Sequence, residues 1–424
     1  MALMLAACGG GGGGSDSSTP STQSQTGTGT SGATAPQTST GTTGTTGVTA
    51  PQTPTQSNTA NTVPVIVSSA SNSLNSPRVS VTVCQPGTTS CTTIPNIIVD
   101  TGSTGLRLFK SSLTSTLALP PETNPATNDP IGECLAFGGG PVFGQVVTAD
   151  IQMAGEVASA VPIQIIDSTF ASVPASCSSQ GSLLSASTLE ANGIIGVSND
   201  LQDCGQACAT VGQQGQQMYF DCNGTNCDAS SFGIVLAQQV TNPVSKFATD
   251  NNGVILSFPD LAAGMAAEAV GTMTFGVGTQ ADNSASNVSM VEGLNNGMQS
   301  TINGASVRAS IDSGSSVDYI ANLSLLTCSV EGYTWYCPSN TTSMSAAYTG
   351  GGSQLNLTYD VANANSVLTS PAAGSSYAVA DLAMPEELFN QPGIDLGMSY
   401  LFGHTLYLQY PNNSATPMIG VITN

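Results

Sequence analysis

The sequence predicts an all-β fold, mostly antiparallel, arranged in two lobes. Short runs of Val, Ile, Thr and Phe are broken by Gly, Asn and Pro every dozen residues or so, and helical signals are scarce. One short motif occurs twice, as Asp100-Thr101-Gly102-Ser103 and Asp312-Ser313-Gly314-Ser315, 212 positions apart. The 362 residues from Val63 onward exceed the usual size of a single hydrophobic core.

At the N-terminus, Leu5-Ala6-Ala7-Cys8 precedes a run of six glycines. Small residues before such a cysteine form a lipobox, which makes Cys8 the expected site of lipidation and residues 1–8 a partial lipoprotein signal. Only seven residues precede Cys8 and none is basic, so the start of the signal is expected upstream of Met1. Residues 9–62 are almost wholly Gly, Ser, Thr, Gln, Pro and Ala and lack large apolar side chains; a disordered tether is expected there. The folded part is expected to divide into lobes at 63–255 and 256–424.

Within the first lobe, Arg78 to Val83 alternates like a half-buried strand and Gln85-Pro86-Gly87 opens a turn. Ile94 to Val99 leads into the first motif, and Val146 to Met153 with Val161 to Ile166 reads as a hairpin around Ala154-Gly155-Glu156. Leu183 to Leu189 and Pro385 to Phe389 are expected short helices. Thr272 to Gly276 opens a second block of strands, and Val307 to Ile311 leads into the second motif.

Five Lys and Arg against 26 Asp and Glu give a net charge of −21, a surface that repels nucleic acid and holds no polybasic membrane patch. No run of about 20 apolar residues is present, so any membrane contact is expected through a lipid anchor alone. Ten cysteines follow Cys8. Four pairs lie close in sequence, Cys84/Cys91, Cys204/Cys208, Cys222/Cys227 and Cys328/Cys337, with Cys134 and Cys177 left over; spacing alone does not fix the connectivity. No clustered Cys-x-x-Cys pairs suggest zinc, so disulfides in an oxidising compartment are expected and neither metal nor cofactor is called for.

A carboxylate at a tight glycine turn, with hydroxyls one and three positions on, is positioned and hydrogen-bonded. Two such carboxylates facing each other share a proton and a water, an arrangement suited to attacking a carbonyl carbon. His404 is the one histidine and has no Gly-x-Ser-x-Gly elbow to serve, so it is read as structural. Tyr333, Trp335 and Tyr336, between Cys328 and Cys337, offer either a sugar-stacking platform or packed aromatics in a closed loop, the latter preferred.

From residue 78 to the C-terminus the order of motifs resembles the pepsin-like family of bilobed aspartic proteases. That family has an apolar strand and Asp-Thr/Ser-Gly-Thr/Ser in each lobe, followed later by an apolar-apolar-Gly segment passing behind the aspartate. Here Ile194-Ile195-Gly196 matches well. Asp395-Leu396-Gly397, followed by Tyr400-Leu401-Phe402-Gly403, matches with a polar residue where the family is apolar. Phe137-Gly138-Gly139-Gly140, with Gly144 and Asp150 at similar offsets, stands where the family has its Tyr-Gly-x-Gly flap, and Leu106-Arg107-Leu108-Phe109 stands where a tryptophan usually follows the first motif. The chain also looks like a group of uncharacterised bacterial envelope proteins known as a domain of unknown function.

The resemblance implies a double-ψ β-barrel architecture with an active-site cleft between the lobes. Asp100 and Asp312 would be the catalytic pair, acting on a peptide or protein substrate in that cleft. Thr101 and Ser313 would bond across the lobe interface, Ser103 and Ser315 would hold the outer carboxylate oxygens, and Gly102 and Gly314 would bring backbone N–H groups to the inner ones. Arg107 is expected against the Phe137 ring. These features suggest a monomeric aspartic endopeptidase, lipid-anchored to the outer membrane in a Gram-negative cell envelope. The other reading is a catalytically silent envelope lipoprotein of the same fold that binds a peptide or glycan.

Overall fold

The computed structural model describes residues 61–70, 72–210, 218–229, 233–293, 298–302, 304–385, 393–411 and 416–424. Cys8, nearly all of the expected tether and most of the expected helix Pro385–Phe389 lie outside these residues.

Among the described residues, most strands fall into a fifteen-stranded sheet and a seven-stranded sheet. The strand Thr62–Val67 begins at the last residue of the expected tether and pairs antiparallel with Ala269–Phe275. Apolar Val65 and Val67 point inward from it while Ile66 is partly exposed, the period-2 pattern of a one-sided strand. The C-terminal strands His404–Gln409 and Met418–Thr423 return to the large sheet, where His404–Gln409 pairs with Gly253–Ser257. The expected lobe boundary at 255/256 therefore divides a paired strand.

One three-strand unit occurs twice and positions everything that follows. In its first copy Cys91–Asp100 runs parallel to Gly193–Val197, with Asp100 opposite Gly196, and Thr104–Phe109 returns antiparallel on the other side of Gly193–Val197. In the second, Ala305–Ile311 runs parallel to Gly393–Leu396, and Asp318–Ile320 returns antiparallel beside it. The sequence needs glycine at both crossing points: a Cβ on Gly196 would lie 2.5 Å from the Thr104 nitrogen, and one on Gly397 would lie 2.3 Å from the Val317 oxygen. No side chain fits between the motif turn and the strand that passes behind it.

The hairpin read around Ala154-Gly155 is formed by Gly140–Met153 and Glu156–Ile166, with both turn residues at positive φ (48° and 84°). The expected helix over 183–189 is shorter, Ala186–Leu189. Ser185 caps it through a reciprocal box with Thr188, and the Leu184 N–H is already given to the Pro141 oxygen at 2.9 Å, so the helix starts after Leu184. Five disulfides join Cys84–Cys91, Cys134–Cys177, Cys204–Cys208, Cys222–Cys227 and Cys328–Cys337, the four local pairs and the remaining two. No helix among the described residues is long and apolar enough to cross a membrane.

Candidate active site

The two motif turns meet in the interior. Asp100 and Asp312 are 1% and 2% exposed. Their inner oxygens accept from one backbone group: the Gly102 N–H lies 2.8 Å from Asp100 Oδ1 and 3.1 Å from Asp312 Oδ1. Gly314 N–H adds a bond to Asp312 Oδ1 at 2.7 Å. The turns are locked by a reciprocal set of buried bonds. Thr101 N–H donates to Ser313 Oγ at 3.1 Å and Ser313 N–H donates to Thr101 Oγ1 at 2.9 Å. Each hydroxyl then donates onward to the strand of the other motif, Thr101 to the Ile311 oxygen and Ser313 to the Val99 oxygen.

The outer oxygens are held unequally. Ser103 Oγ donates to Asp100 Oδ2 at 2.5 Å, whereas Ser315 Oγ is 3.5 Å from Asp312 Oδ2. Burial pushes the Asp100 carboxyl above the ordinary carboxylate range, against the hydrogen bonds from Asp312, Ser103 and Gly102 that lower it. Asp312 is pushed well above that range, by burial first and then by the charges of Asp100 and Asp395. Two carboxyls this close do not both ionise: the pair holds one proton between them.

The hairpin Ile131–Phe137 with Gly140–Met153 carries the flap sequence, and Phe137 is opposite Gly140 across a turn of exposed Gly138 and Gly139. Phe137 itself is buried in an apolar cluster with Phe109, Leu135, Leu189 and Ile194. Arg107 Cζ lies 6.0 Å from the Phe137 ring centroid, at the outer edge of cation–π range. Its strong contacts are others. Arg107 Nη2 donates to Glu133 Oε1 at 2.6 Å and Asp203 Oδ2 at 2.7 Å, and Nη1 donates to the Thr104 oxygen. Tyr219 OH donates to Asp203 Oδ1 at 2.6 Å and accepts from the Val240 N–H.

Sequence reasoning missed Glu133, Asp203 and Tyr219, and it missed Asp318, which is fully buried beside the second motif. Asp318 Oδ1 accepts from the Gly397 N–H, and burial pushes its carboxyl well up. A signal for the first group was present: an arginine inside the run Leu106-Arg107-Leu108-Phe109, in a chain with five basic residues, requires buried acids as partners. His404 lies away from the pair, its Nδ1–H directed at the Tyr400 oxygen and its ring stacked on Tyr400 at 4.2 Å. It lines a cavity of about 560 Å³ with Asp260, Asp360 and Asp381, and neither Asp100 nor Asp312 lines that cavity. Trp335 and Tyr336 are buried while Tyr333 is half-exposed, so the Cys328–Cys337 loop packs two of its three aromatics inward. No group of three or more His, Cys, Asp or Glu among the described residues is arranged to hold a metal ion.

The family described as "Protein of unknown function (DUF3443)" matches residues 57–422. The chain belongs to that family. Among solved structures, this DUF3443 member is similar to the crystal structure of an aspartic proteinase from Irpex lacteus, with 15% identity and a TM-score of 0.51. The likeness covers 86% of this chain and 97% of that one. At such identity it shows the fold alone: the DUF3443 chain has the bilobed, all-β pepsin-like architecture. No curated protein matches the sequence.

Proposed function

We propose that the chain is an aspartic endopeptidase in which a water between Asp100 and Asp312 attacks the carbonyl of a bound peptide or protein. The observation that carries this reading is the single Gly102 N–H shared by the inner oxygens of both carboxyls, 2.8 Å from one and 3.1 Å from the other. The ionised carboxyl takes a proton from the water as its oxygen bonds to the carbonyl carbon. The protonated carboxyl gives its proton to the carbonyl oxygen, forming a gem-diol. Collapse of that diol breaks the C–N bond: one diol hydroxyl returns its proton to the second carboxyl as the C=O re-forms, and the proton held by the first carboxyl passes to the departing nitrogen, so the pair again holds one proton.

The full chain, assayed on a denatured protein between pH 3 and 7, should cleave it. Asp100→Asn and Asp312→Asn should each reduce cleavage by at least about a thousandfold without unfolding the protein, because an amide serves as neither acid nor base. A mimic bearing a hydroxyl at the tetrahedral carbon should inhibit. One observation favours a second reading, a silent binding protein of the same fold: Phe137 brings no hydroxyl to the flap. That reading predicts no turnover at any pH and peptide affinity unchanged by either substitution.

A further inference from the structure

At one paired position the two copies of the three-strand unit differ in polarity. In the first, Ile98 lies opposite Ile194, both almost fully buried. In the second, the corresponding pair is Ser310 opposite Asp395. Asp395 is 1% exposed and accepts two short bonds, from Ser310 Oγ to Oδ1 and from Ser315 Oγ to Oδ2, each 2.5 Å. A serine hydroxyl carries one proton to donate. Ser315, the counterpart of the residue that holds Asp100 at 2.5 Å, therefore gives its proton to Asp395 and leaves Asp312 Oδ2 at 3.5 Å.

We propose that Asp395 is a positioning residue for the catalytic pair: while ionised it holds the Ser315 hydroxyl away from Asp312, and on taking a proton it releases that hydroxyl to Asp312. This rests on the reading of Asp100 and Asp312 as the working pair. In the first state Asp312 lacks its outer donor and faces a second negative charge, so it retains the shared proton and Asp100 is the base. In the second state the Ser315 hydroxyl stabilises the Asp312 carboxylate, and the difference between the two aspartates shrinks.

The groups around this exchange come from several elements. Asp318 and Tyr319 come from the returning strand, Asp100 and Asp312 from the motif turns, and Tyr348 OH from Thr342–Gly350 donates to the Ser310 oxygen at 2.9 Å. Tyr400 comes from the short helix Met398–Leu401, and Arg308, on the strand that carries Ser310, is exposed. Burial raises the Asp395 carboxyl to about 6 against the two serine bonds that lower it, with the Asp100 charge adding to the rise. The exchange is thus centred near mildly acidic pH.

The test follows aspartate side-chain carboxyl titrations by 13C NMR on the full chain, with resonances assigned from single Asp→Asn variants. Asp395→Asn removes the charge and frees the Ser315 hydroxyl, so it should lower the upper titration of the Asp100/Asp312 pair by about one pH unit. In a Ser315→Ala background the same substitution should shift it by less than half as much. An equal shift in both backgrounds means charge acting through space alone, and no shift means no coupling; either overturns the proposal. Should Asp395→Asn fail to fold, Ser310→Ala provides the second test. Loss of one donor should raise the Asp395 titration by about half a unit or more, and an unmoved titration overturns the proposal. These readouts do not need turnover, so an inactive protein with the predicted shifts would refute the endopeptidase reading while leaving the carboxyl relay in place.

Discussion

Arg107 is one of five basic side chains in the chain, and it lies wholly inside. Burial opposes its charge, but Glu133 and Asp203 more than offset that and hold the guanidinium firmly protonated. Two acids against one base leave an imbalance, which Asp203 absorbs: burial first, then the Glu133 charge, push its carboxyl well up. Removing the base alone is the damaging change, because it strands two desolvated acids. Arg107→Leu should cost about 3–5 kcal/mol in urea unfolding, with the slope unchanged. Adding Glu133→Gln and Asp203→Asn should recover most of that loss, since a neutral core no longer needs the cation. A loss below about 1 kcal/mol for Arg107→Leu would show that the triad carries little net stability. Glu133 shares its strand with Phe137, so the same substitution tests whether the flap is held from beneath by this ion network.

At the scale of elements, the two motif strands are tied by hydroxyls that act as one unit. Thr101→Val keeps the shape but removes a donor to the Ile311 oxygen and an acceptor for the Ser313 N–H. It should lower stability by about 1–3 kcal/mol, as should Ser313→Ala. The double variant should lose less than the sum of the two, because each hydroxyl serves the other's turn. Strict additivity in thermal unfolding would mean that the two turns are stabilised independently. These elements were legible in the sequence because an apolar run and a four-residue turn signal recur together; Ile97 to Val99 and Val307 to Ile311 announce the strands and the aspartates end them. The segments passing behind were legible at Ile194-Ile195-Gly196, where the pattern is wholly apolar, and only by order at Asp395-Leu396-Gly397. The helix expected over 183–189 starts later because the Leu184 N–H bonds to the flap strand at Pro141. The inward turn of Asp318 and Asp395 was not legible: it depends on which strands flank them, and that is settled by pairing across more than 70 residues.

The whole molecule has an excess of acids, and many of them are buried in places that favour the proton. Burial raises Asp200, Asp381 and Asp395 to about 6, and it raises Asp100, Asp203, Asp312 and Asp318 as well. A carboxyl whose folded pKa exceeds its unfolded value of about 4 binds more protons in the folded state between those two values. Its contribution is fully present below pH 4 and is lost as pH rises through 6. The net charge of −21 at pH 7 acts in the same direction, since self-repulsion opposes the compact state. Asp167 runs the other way: despite burial it is held below its ordinary range by Lys110 and Thr169, so its support weakens only in stronger acid. The balance predicts a protein more stable at pH 5 than at pH 8. Calorimetry of the oxidised protein should give a midpoint about 5–10 °C higher at pH 5. Asp395 alone, fully enclosed and shifted from 3.8 to about 6, is worth about 3 kcal/mol over the whole shift, of which roughly half falls between pH 5 and pH 8. Asp395→Asn should therefore flatten the dependence by a comparable amount whatever it does to stability at a single pH. A midpoint that stays level or rises from pH 5 to pH 8 would mean these carboxyls are hydrated or paired in solution, and the acid-adapted interior inferred from their burial would be wrong.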